Sequence, residues 1–201
     1  MNKNRIYESY DKICHWFEDH RDKSLMEIDY LEIMLQLMPK SADILDLGCG
    51  TGQPIAEFFI KRGYKITGVD GSAKMIELCK KRFPNQEWIV ADMLTINLNK
   101  QFDLILAWHS FFHLTHDDQR SMFKLFKKHI KPSGILAFTS GTEHGEVWSD
   151  NGGENLYHAS LSANEYQELL TESSFSIITH KIEDPYCGDA TIWIAQNNED
   201  L

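Results

Sequence analysis

The chain has 201 residues, 42% of them hydrophobic, which suits a single folded domain of ordinary size. Its formal net charge of −10 argues against a nucleic-acid substrate, because such binding depends mainly on Lys and Arg contacts to phosphate. The sequence contains no apolar run of the roughly 18 residues that span a membrane, no secretory signal and no C-x-x-C pair, so we expect a cytoplasmic protein without a membrane anchor or a structural zinc ion.

Two amphipathic helices are predicted in the first forty residues. Apolar side chains recur there every three or four positions, as they do on the buried face of a helix. In the first stretch they are Ile6, Tyr10, Ile13 and Phe17, and in the second they are Leu25, Ile28, Leu31, Leu35 and Met38. Each helix therefore has one face to bury against the rest of the domain.

From about residue 43 onward, segments typical of strands alternate with segments typical of helices. The predicted strands lie near 43–47, 65–70, 87–91, 102–108, 134–140, 175–182 and 190–196, and the predicted helices near 53–62, 72–82, 117–130 and 162–171. Such alternation predicts an α/β fold in which helices cover a parallel sheet. No helix separates the last two strands, so we expect an antiparallel hairpin at one edge.

The first strand leads into the glycine-rich heptad Asp46-Leu47-Gly48-Cys49-Gly50-Thr51-Gly52. Glycines at alternate positions let the backbone turn tightly and approach a ligand closely. The spacing is G-x-G-x-G, which differs from the G-x-G-x-x-G of dinucleotide-binding loops. Asp70 closes the next strand at about the offset, roughly 20 residues, from which an acid can bind both hydroxyls of a ribose. This arrangement predicts a nucleoside-containing ligand.

The residues from Ile44 to Gly52 resemble the first motif of the class I S-adenosylmethionine-dependent methyltransferases. The resemblance implies a Rossmann-like three-layer sandwich with a seven-stranded, mostly parallel sheet and an antiparallel edge hairpin. It also implies one methyltransferase domain, with residues 1–40 as a helical lid and residues 41–201 as the core. S-adenosylmethionine would be the cofactor and S-adenosylhomocysteine the product.

The resemblance also assigns the cofactor site residue by residue. Asp70 would bind the ribose, Asp92 the adenine amino group, and Asp46 would lie close to the methionine end of the cofactor. Ser9-Tyr10-Asp11 is similar to the start of the family's lid, which would bring Tyr10 to the cofactor. The predicted cofactor-binding set is Tyr10, Asp46, Gly48, Cys49, Gly50, Gly52, Asp70, Gly71, Ser72, Met75, Asp92, Met93 and Trp108.

Several of these residues also have a simpler explanation. Asp70 can be an ordinary carboxylate at a strand end, and Asp46 can be a turn residue bonded to backbone amides. Tyr10 can serve only to pack its helix. Cys49 is a small side chain in a glycine turn, and no neighbour in sequence would activate its thiol.

The exit of the fourth strand carries the candidates for chemistry. Ligands of open α/β sheets bind beyond the carboxyl ends of the strands, so Trp108 and His109 should lie near the reacting methyl group. His109 is the candidate for proton removal, although it can equally be a histidine in the wall of the site. His113 is placed on the acceptor side in a supporting role. With His116 these histidines have metal-ligand spacing, but no carboxylate completes a set and we expect no metal.

Residues 141–158 form a long segment for which no secondary structure is predicted. Loops of this length are often functional. Acids, histidines and aromatics are mixed in it, as expected for binding a polar or cationic small molecule. The predicted acceptor-binding residues are Glu143, His144, Trp148, Tyr157 and His158, together with His113. The alternative is a solvated surface loop.

The reaction that these features predict is the in-line transfer of a methyl group from S-adenosylmethionine to a small-molecule acceptor. The sulfonium already activates the methyl group, so alignment of the acceptor is the main requirement and a general base is optional. Two alternatives stay open: a non-catalytic protein that binds S-adenosylmethionine, and an NAD-dependent oxidoreductase, which the glycine spacing disfavours. No nucleic-acid or membrane partner is expected.

Overall fold

The computed structural model describes residues 5–199. Its helices are α1 (Ile6–His20), α2 (Ile28–Leu37), α3 (Ile55–Ile60), α4 (Ala73–Arg82), α5 (His116–His129) and α6 (Ala163–Glu172). Its strands are β1 (Asp43–Leu47), β2 (Lys65–Asp70), β3 (Glu87–Val90), β4 (Phe102–Ala107), β5 (Ile130–Ser140), β6 (Gly145–Asn151), β7 (Glu154–Ser160), β8 (Phe175–Asp184) and β9 (Ala190–Asn197). Every predicted strand and helix is present, within a few residues of its predicted bounds.

Seven strands form one sheet in the order β3-β2-β1-β4-β5-β9-β8. The first five are parallel, and β9 runs antiparallel to both β5 and β8. Strand order reverses between β1 and β4, the place at which open α/β sheets bind ligands. The predicted fold class, including the antiparallel edge hairpin, is confirmed.

The central strands are apolar on both faces because helices cover both sides of the sheet. On one face, Ile44 of β1 and Leu104 of β4 pack with Phe59 of α3. On the other face, Leu45 and Ile105 join the side chains of α5 and α6. The period of two along a strand thus divides consecutive apolar residues between two hydrophobic cores, giving the three-layer sandwich.

The two N-terminal helices have different positions. Helix α1 lies against α4 and the strand β7, and its Tyr10 and Phe17 line cavities at the carboxyl ends of the sheet strands. Helix α2 instead buries Leu31 and Met34 in the core on one face of the sheet. Of these two helices only α1 lines the cavities, and a lid role for residues 1–40 stays a prediction.

The segment 141–158 also differs from the prediction, because most of it is regular structure. Strands β6 and β7 pair as an antiparallel hairpin separate from the main sheet. Gly152 and Gly153 form the two-residue turn, and both have positive φ, at 61° and 84°. Two-residue turns of this kind match the right-handed twist of the paired strands. From residue 5 to residue 199, no helix combines the length and the apolar character needed to cross a membrane.

Candidate active site

The glycine loop after β1 is folded against the ends of two neighbouring strands. Gly48, Gly50 and Gly52 all have positive φ, at 74°, 54° and 76°. A Cβ on Gly48 would lie 2.2 Å from the Cβ of Ser110, so only glycine fits between β1 and the exit of β4. The Gly48 amide donates to the Val69 carbonyl at 2.7 Å, which ties the loop to β2.

Asp70, at the end of β2, holds the same loop through its carboxylate. One oxygen accepts a hydrogen bond from the Gly50 amide at 2.9 Å, and the other accepts one from the Ser72 amide at 2.8 Å. Each oxygen retains a further lone pair for a ligand. Burial raises the pKa of Asp70, while the two backbone hydrogen bonds oppose that shift.

Asp46 is a second buried acid, 5% exposed, at the start of the loop. Burial, with a further contribution from the negative charge of Asp70, raises the pKa of Asp46 to about 7. A carboxyl group in this state loses its proton readily when a positive charge approaches. The site therefore contains an acid that a cationic ligand would ionise.

Two adjoining cavities lie over the loop. The first cavity is bounded by α1 and the ends of β2 and β3, and Asp70 and Asp92 lie in its wall among apolar side chains of Tyr7, Met75 and Met93. The second cavity lies on the other side of the loop. Its wall includes Asp46, Gly52, Gln53, Trp108 and Arg21. The two cavities share Tyr10, Phe17, Gly48, Gly50 and His109.

All but one of the predicted cofactor-binding residues line these two cavities. They are Tyr10, Asp46, Gly48, Cys49, Gly50, Gly52, Asp70, Gly71, Met75, Asp92, Met93 and Trp108. Ser72 has a different role, because it is the N-cap of α4 and its hydroxyl accepts from the Met75 amide. That hydroxyl also donates to Asp11 of α1 at 2.8 Å, so Ser72 connects two helices.

The indole of Trp108 presents a donor without an acceptor. Trp108 is 4% exposed, and its Nε1 atom is buried with no hydrogen-bond partner. An indole N–H can only donate, and a buried donor left unpaired costs about 1–3 kcal/mol. An acceptor oxygen of a bound ligand in the second cavity would satisfy it, so the cavity wall fits a ligand with such an oxygen.

His109 lies where three cavities meet. Its backbone has a φ of 50°, which is uncommon for a residue other than glycine, and its amide donates to Thr139 Oγ1 at 2.9 Å. Its Nε2 atom is buried without a hydrogen-bond partner, 3.7 Å from a carboxylate oxygen of Glu27. Burial, helped by the positive charge of Arg21, lowers the pKa of His109 to about 3. The imidazole is therefore neutral and accepts protons poorly at pH 7.

His113 connects the core to helix α1. Its Nδ1 bonds to the Tyr157 carbonyl at 2.8 Å, so Nδ1 carries the proton, and Nε2 accepts a hydrogen bond from the Tyr10 hydroxyl at 2.8 Å. Burial, with a smaller contribution from His158, lowers the pKa of His113 to about 3. This neutral histidine lines the first cavity and fixes Tyr10 over it.

A third cavity, of about 620 Å³, lies beyond His109. It is enclosed by the end of β5, residues 141–147, strand β7 and residues 188–190. Three of the predicted acceptor-binding residues line it: Glu143, His144 and His158. Three do not: His113 lines the first cavity, and the rings of Trp148 and Tyr157, with centroids 5.3 Å apart, belong to a hydrophobic cluster under α1.

Several residues in the cavity walls were not among the site residues predicted from the sequence. Tyr7, Phe17 and Arg21 of the α1 region line the first or second cavity. With Tyr10 they are spaced by three, seven and four residues, a usable signal because such spacing is typical of one helical face. Phe112 and Thr139 also line cavities, but neither belongs to a recognisable motif. Among the described residues, no three His, Cys, Asp or Glu side chains are placed to hold a metal ion.

A seven-stranded sheet of this order, with a glycine loop after β1 and acids after β2 and β3, defines the Rossmann-like methyltransferase fold. Residues 44–134 match the sequence model of the methyltransferase domain family. Over 145 residues the chain is 28% identical to a malonyl-[acyl-carrier protein] O-methyltransferase of Ilyobacter polytropus, covering 70% of this chain and 53% of that protein. The chain thus spans about half the length of this relative.

Two solved structures share the whole architecture. An S-adenosylmethionine-dependent methyltransferase from Clostridium acetobutylicum superimposes with a TM-score of 0.74 at 16% identity, covering 95% of this chain and 100% of that one. The 1,6-didemethyltoxoflavin-N1-methyltransferase of Burkholderia thailandensis also gives 0.74, at 17% identity, with 96% and 88% covered. The chain is thus similar in sequence to class I S-adenosylmethionine-dependent methyltransferases over residues 44–134 and has their fold.

Proposed function

We propose that this protein transfers the methyl group of S-adenosylmethionine to a small-molecule acceptor. The observation that carries the proposal is the continuity of the three cavities. Asp70 and Asp92 stand in the first, Asp46 and the glycine loop in the second, and the third opens beyond His109. A cofactor in the first two cavities and an acceptor in the third would meet at His109.

The residues of the first cavity suit the adenosine part of the cofactor. Asp70 offers the free lone pairs of a carboxylate to the ribose hydroxyls, and Asp92 can accept from the adenine amino group. Met75, Met93 and Tyr7 provide apolar surface for the base. These assignments account for the mixed character of the wall, in which two acids stand among apolar side chains.

The second cavity suits the amino-acid end. Asp46 ionises when a positive charge approaches, and the sulfonium and the ammonium of the cofactor supply positive charges. The Trp108 indole can donate to a carboxylate oxygen of the same end. When bound, the cofactor supplies an electrophilic methyl group on a sulfonium.

The protein's own contribution is alignment of the reactants. Holding two reacting groups in near-attack geometry can lower a barrier by about 7–11 kcal/mol. His109 is placed to contact both ligands, and its neutral imidazole suits a hydrogen-bonding role, since a group of pKa about 3 is a weak base at pH 7. Tyr10, fixed by His113, closes the same region from the side of α1.

Calorimetric titration tests the proposal directly. The wild type and Asp70→Ala are titrated with S-adenosylmethionine, S-adenosylhomocysteine and NAD. We expect both sulfur ligands to bind with micromolar affinity, about −8 kcal/mol, and to bind much more weakly to the variant. Binding of NAD in place of the sulfur ligands would establish the oxidoreductase alternative. Binding of both sulfur ligands without turnover of any acceptor would favour a non-catalytic binding protein.

A further inference from the structure

We propose that the methyl acceptor is an amine that enters the third cavity as an ammonium ion. The inference rests on the proposed function, because it identifies the chemical class of the acceptor for the same site. It rests on the charged side chains around the third cavity and on the imidazole of His109 at the inner end of that cavity.

The third cavity has the size and the position of an acceptor site. Its volume of about 620 Å³ lies within the roughly 300–1,000 Å³ typical of small-molecule sites. His109, Phe112 and His158 line both this cavity and the second one. A molecule bound in it would therefore extend from solvent to His109, where the acceptor and the cofactor would meet.

The outer wall of this cavity is negatively charged. Glu143, Glu146 and Asp189 line it, whereas the described lining residues include no Lys or Arg. His144 also lines this wall, and its ring stacks at 4.2 Å on that of His116, whose Nδ1 lies 3.8 Å from a Glu146 carboxylate oxygen. Carboxylates attract a cation from solvent, and low ionic strength strengthens that attraction.

The inner end of the cavity is lined by two neutral imidazole rings. Burial lowers the pKa of both His109 and His158, so both rings are neutral at pH 7. A neutral imidazole has one nitrogen that accepts a hydrogen bond, and an amine provides N–H donors. The Nε2 atom of His109 is buried without a hydrogen-bond partner, 3.7 Å from a Glu27 carboxylate oxygen, so the charged group of Glu27 near this ring is also negative.

A carboxylate acceptor would find no Lys or Arg among the described residues that line this cavity. It would meet three carboxylates on the way in and neutral rings at the inner end. Burying an anion without a cationic partner or several donors is strongly unfavourable. Arg21 does not provide that partner, because it lines the second cavity and is paired with the buried Glu27 at 3.0 Å.

Methyl transfer to such an acceptor conserves atoms and charge. The ammonium releases one proton to solvent, which frees the nitrogen lone pair. That lone pair forms the N–C bond to the methyl carbon while the C–S bond breaks, and the electron pair of the broken bond stays on sulfur as a neutral thioether. The methylated ammonium then leaves through the negatively charged outer wall.

The test uses matched acceptors on shared carbon skeletons. Benzyl, phenethyl and cyclohexyl amines are compared with the corresponding alcohols and carboxylates, and S-adenosylhomocysteine formation is measured by mass spectrometry with the wild-type protein. We expect product above the acceptor-free rate with amines only. Turnover of alcohols or carboxylates instead would overturn the amine assignment, and so would inactivity of all the amines with a protein that binds S-adenosylmethionine. Failure to bind S-adenosylmethionine would overturn the proposed function itself.

Removal of two carboxylates from the outer wall tests the role of its negative charge. In the double variant Glu143→Gln, Asp189→Asn, we expect the KM of the best amine to rise about three- to tenfold with little change in kcat, as the loss of two exposed ion pairs would cause. The control Glu168→Gln, Glu172→Gln removes the same charge from exposed positions on helix α6. An equal change of KM in both variants, or no change in the first, would contradict the proposal.

Discussion

At the scale of single residues, the buried Asp46 should make cofactor binding depend on pH. Its pKa is raised to about 7, so at pH 6 the free protein holds a proton there that a cationic ligand must displace. We expect the Kd for S-adenosylmethionine to fall about tenfold between pH 6 and pH 8, because each pH unit below the pKa costs up to a factor of ten. Titration calorimetry in buffers of different ionisation enthalpy would measure the released proton.

The variant Asp46→Asn separates this group from others that titrate nearby. It should bind the cofactor more weakly at pH 8 and lose the pH dependence. In the free wild type, the raised pKa means that the folded state binds a proton that the unfolded state has released, so the free energy of unfolding should fall as pH rises from about 4 to 7. If the pH dependence of binding persists in Asp46→Asn, a group other than Asp46 causes it.

His109 provides a second test at this scale, because a general base and a positioning residue would respond differently to replacement by Asn. Its φ of 50° is one that Asn tolerates well, so His109→Asn preserves the backbone and a hydrogen-bonding side chain. We expect the variant to retain turnover within about tenfold and to bind the cofactor normally, whereas loss of a general base typically costs 10²- to 10⁴-fold. His109→Ala should slow turnover more than His109→Asn. Equal, large losses in the two variants would favour proton removal by His109.

At the scale of elements, the glycine loop can be tested with two substitutions that share the same backbone strain. Gly48 and Gly63 both have positive φ, but a Cβ on Gly63 meets no atom within 4 Å, whereas one on Gly48 would overlap Ser110. Gly63→Ala should cost about 1–2 kcal/mol of unfolding free energy. Gly48→Ala should cost a further 1–3 kcal/mol by overpacking and abolish cofactor binding. Urea denaturation would show whether the two losses of unfolding free energy are alike, and calorimetry would show whether Gly48→Ala still binds the cofactor.

Helix α1 makes a prediction of the same kind, since polar contacts attach it to the core. Asp11 accepts a hydrogen bond from the Lys74 amide at 2.9 Å as well as one from the Ser72 hydroxyl. Asp11→Ala should speed hydrogen exchange throughout α1 and weaken cofactor binding, because the helix covers the first cavity. Glu8→Ala, which removes an exposed ion pair within the helix, is the control and should do neither. Unchanged exchange in Asp11→Ala would show that other contacts are sufficient.

The elements also show which patterns predict structure. The central strands were placed well because burial on both faces produces apolar runs bounded by turn residues. The family resemblance placed α2 in a lid, whereas periodicity shows only that a helix has an apolar face and not what covers it, and the apolar face of α2 packs in the core. The hairpin β6–β7 was overlooked because its strands are half exposed and polar, although Gly152-Gly153 was a usable turn signal.

At the scale of the whole molecule, the cofactor-binding residues were more predictable than the acceptor-binding ones. The glycine loop, Asp70 and Asp92 sit at consecutive strand ends, and a parallel sheet brings such ends together whatever the loops do. The third cavity depends on segments far apart in sequence, including β7 and residues 188–190, and no local pattern fixes their approach. For that reason Trp148 and Tyr157 looked like acceptor residues but pack under α1.

Cofactor binding should stabilise the entire fold, because the first and second cavities join α1 to the ends of four strands. A ligand present at 100 times its Kd adds about 2.7 kcal/mol to the free energy of unfolding if it binds only the folded state. For a domain of about this size, each kcal/mol raises Tm by about 2–4 °C, so we expect S-adenosylhomocysteine to raise Tm by about 5–11 °C. Scanning fluorimetry at several ligand concentrations measures the shift. Asp70→Ala should show almost none at the same concentrations, whereas Glu168→Gln, on a helix remote from the cavity walls, should match the wild type. A wild-type shift confined to NAD would mean that the sheet and its loop hold a dinucleotide despite the glycine spacing.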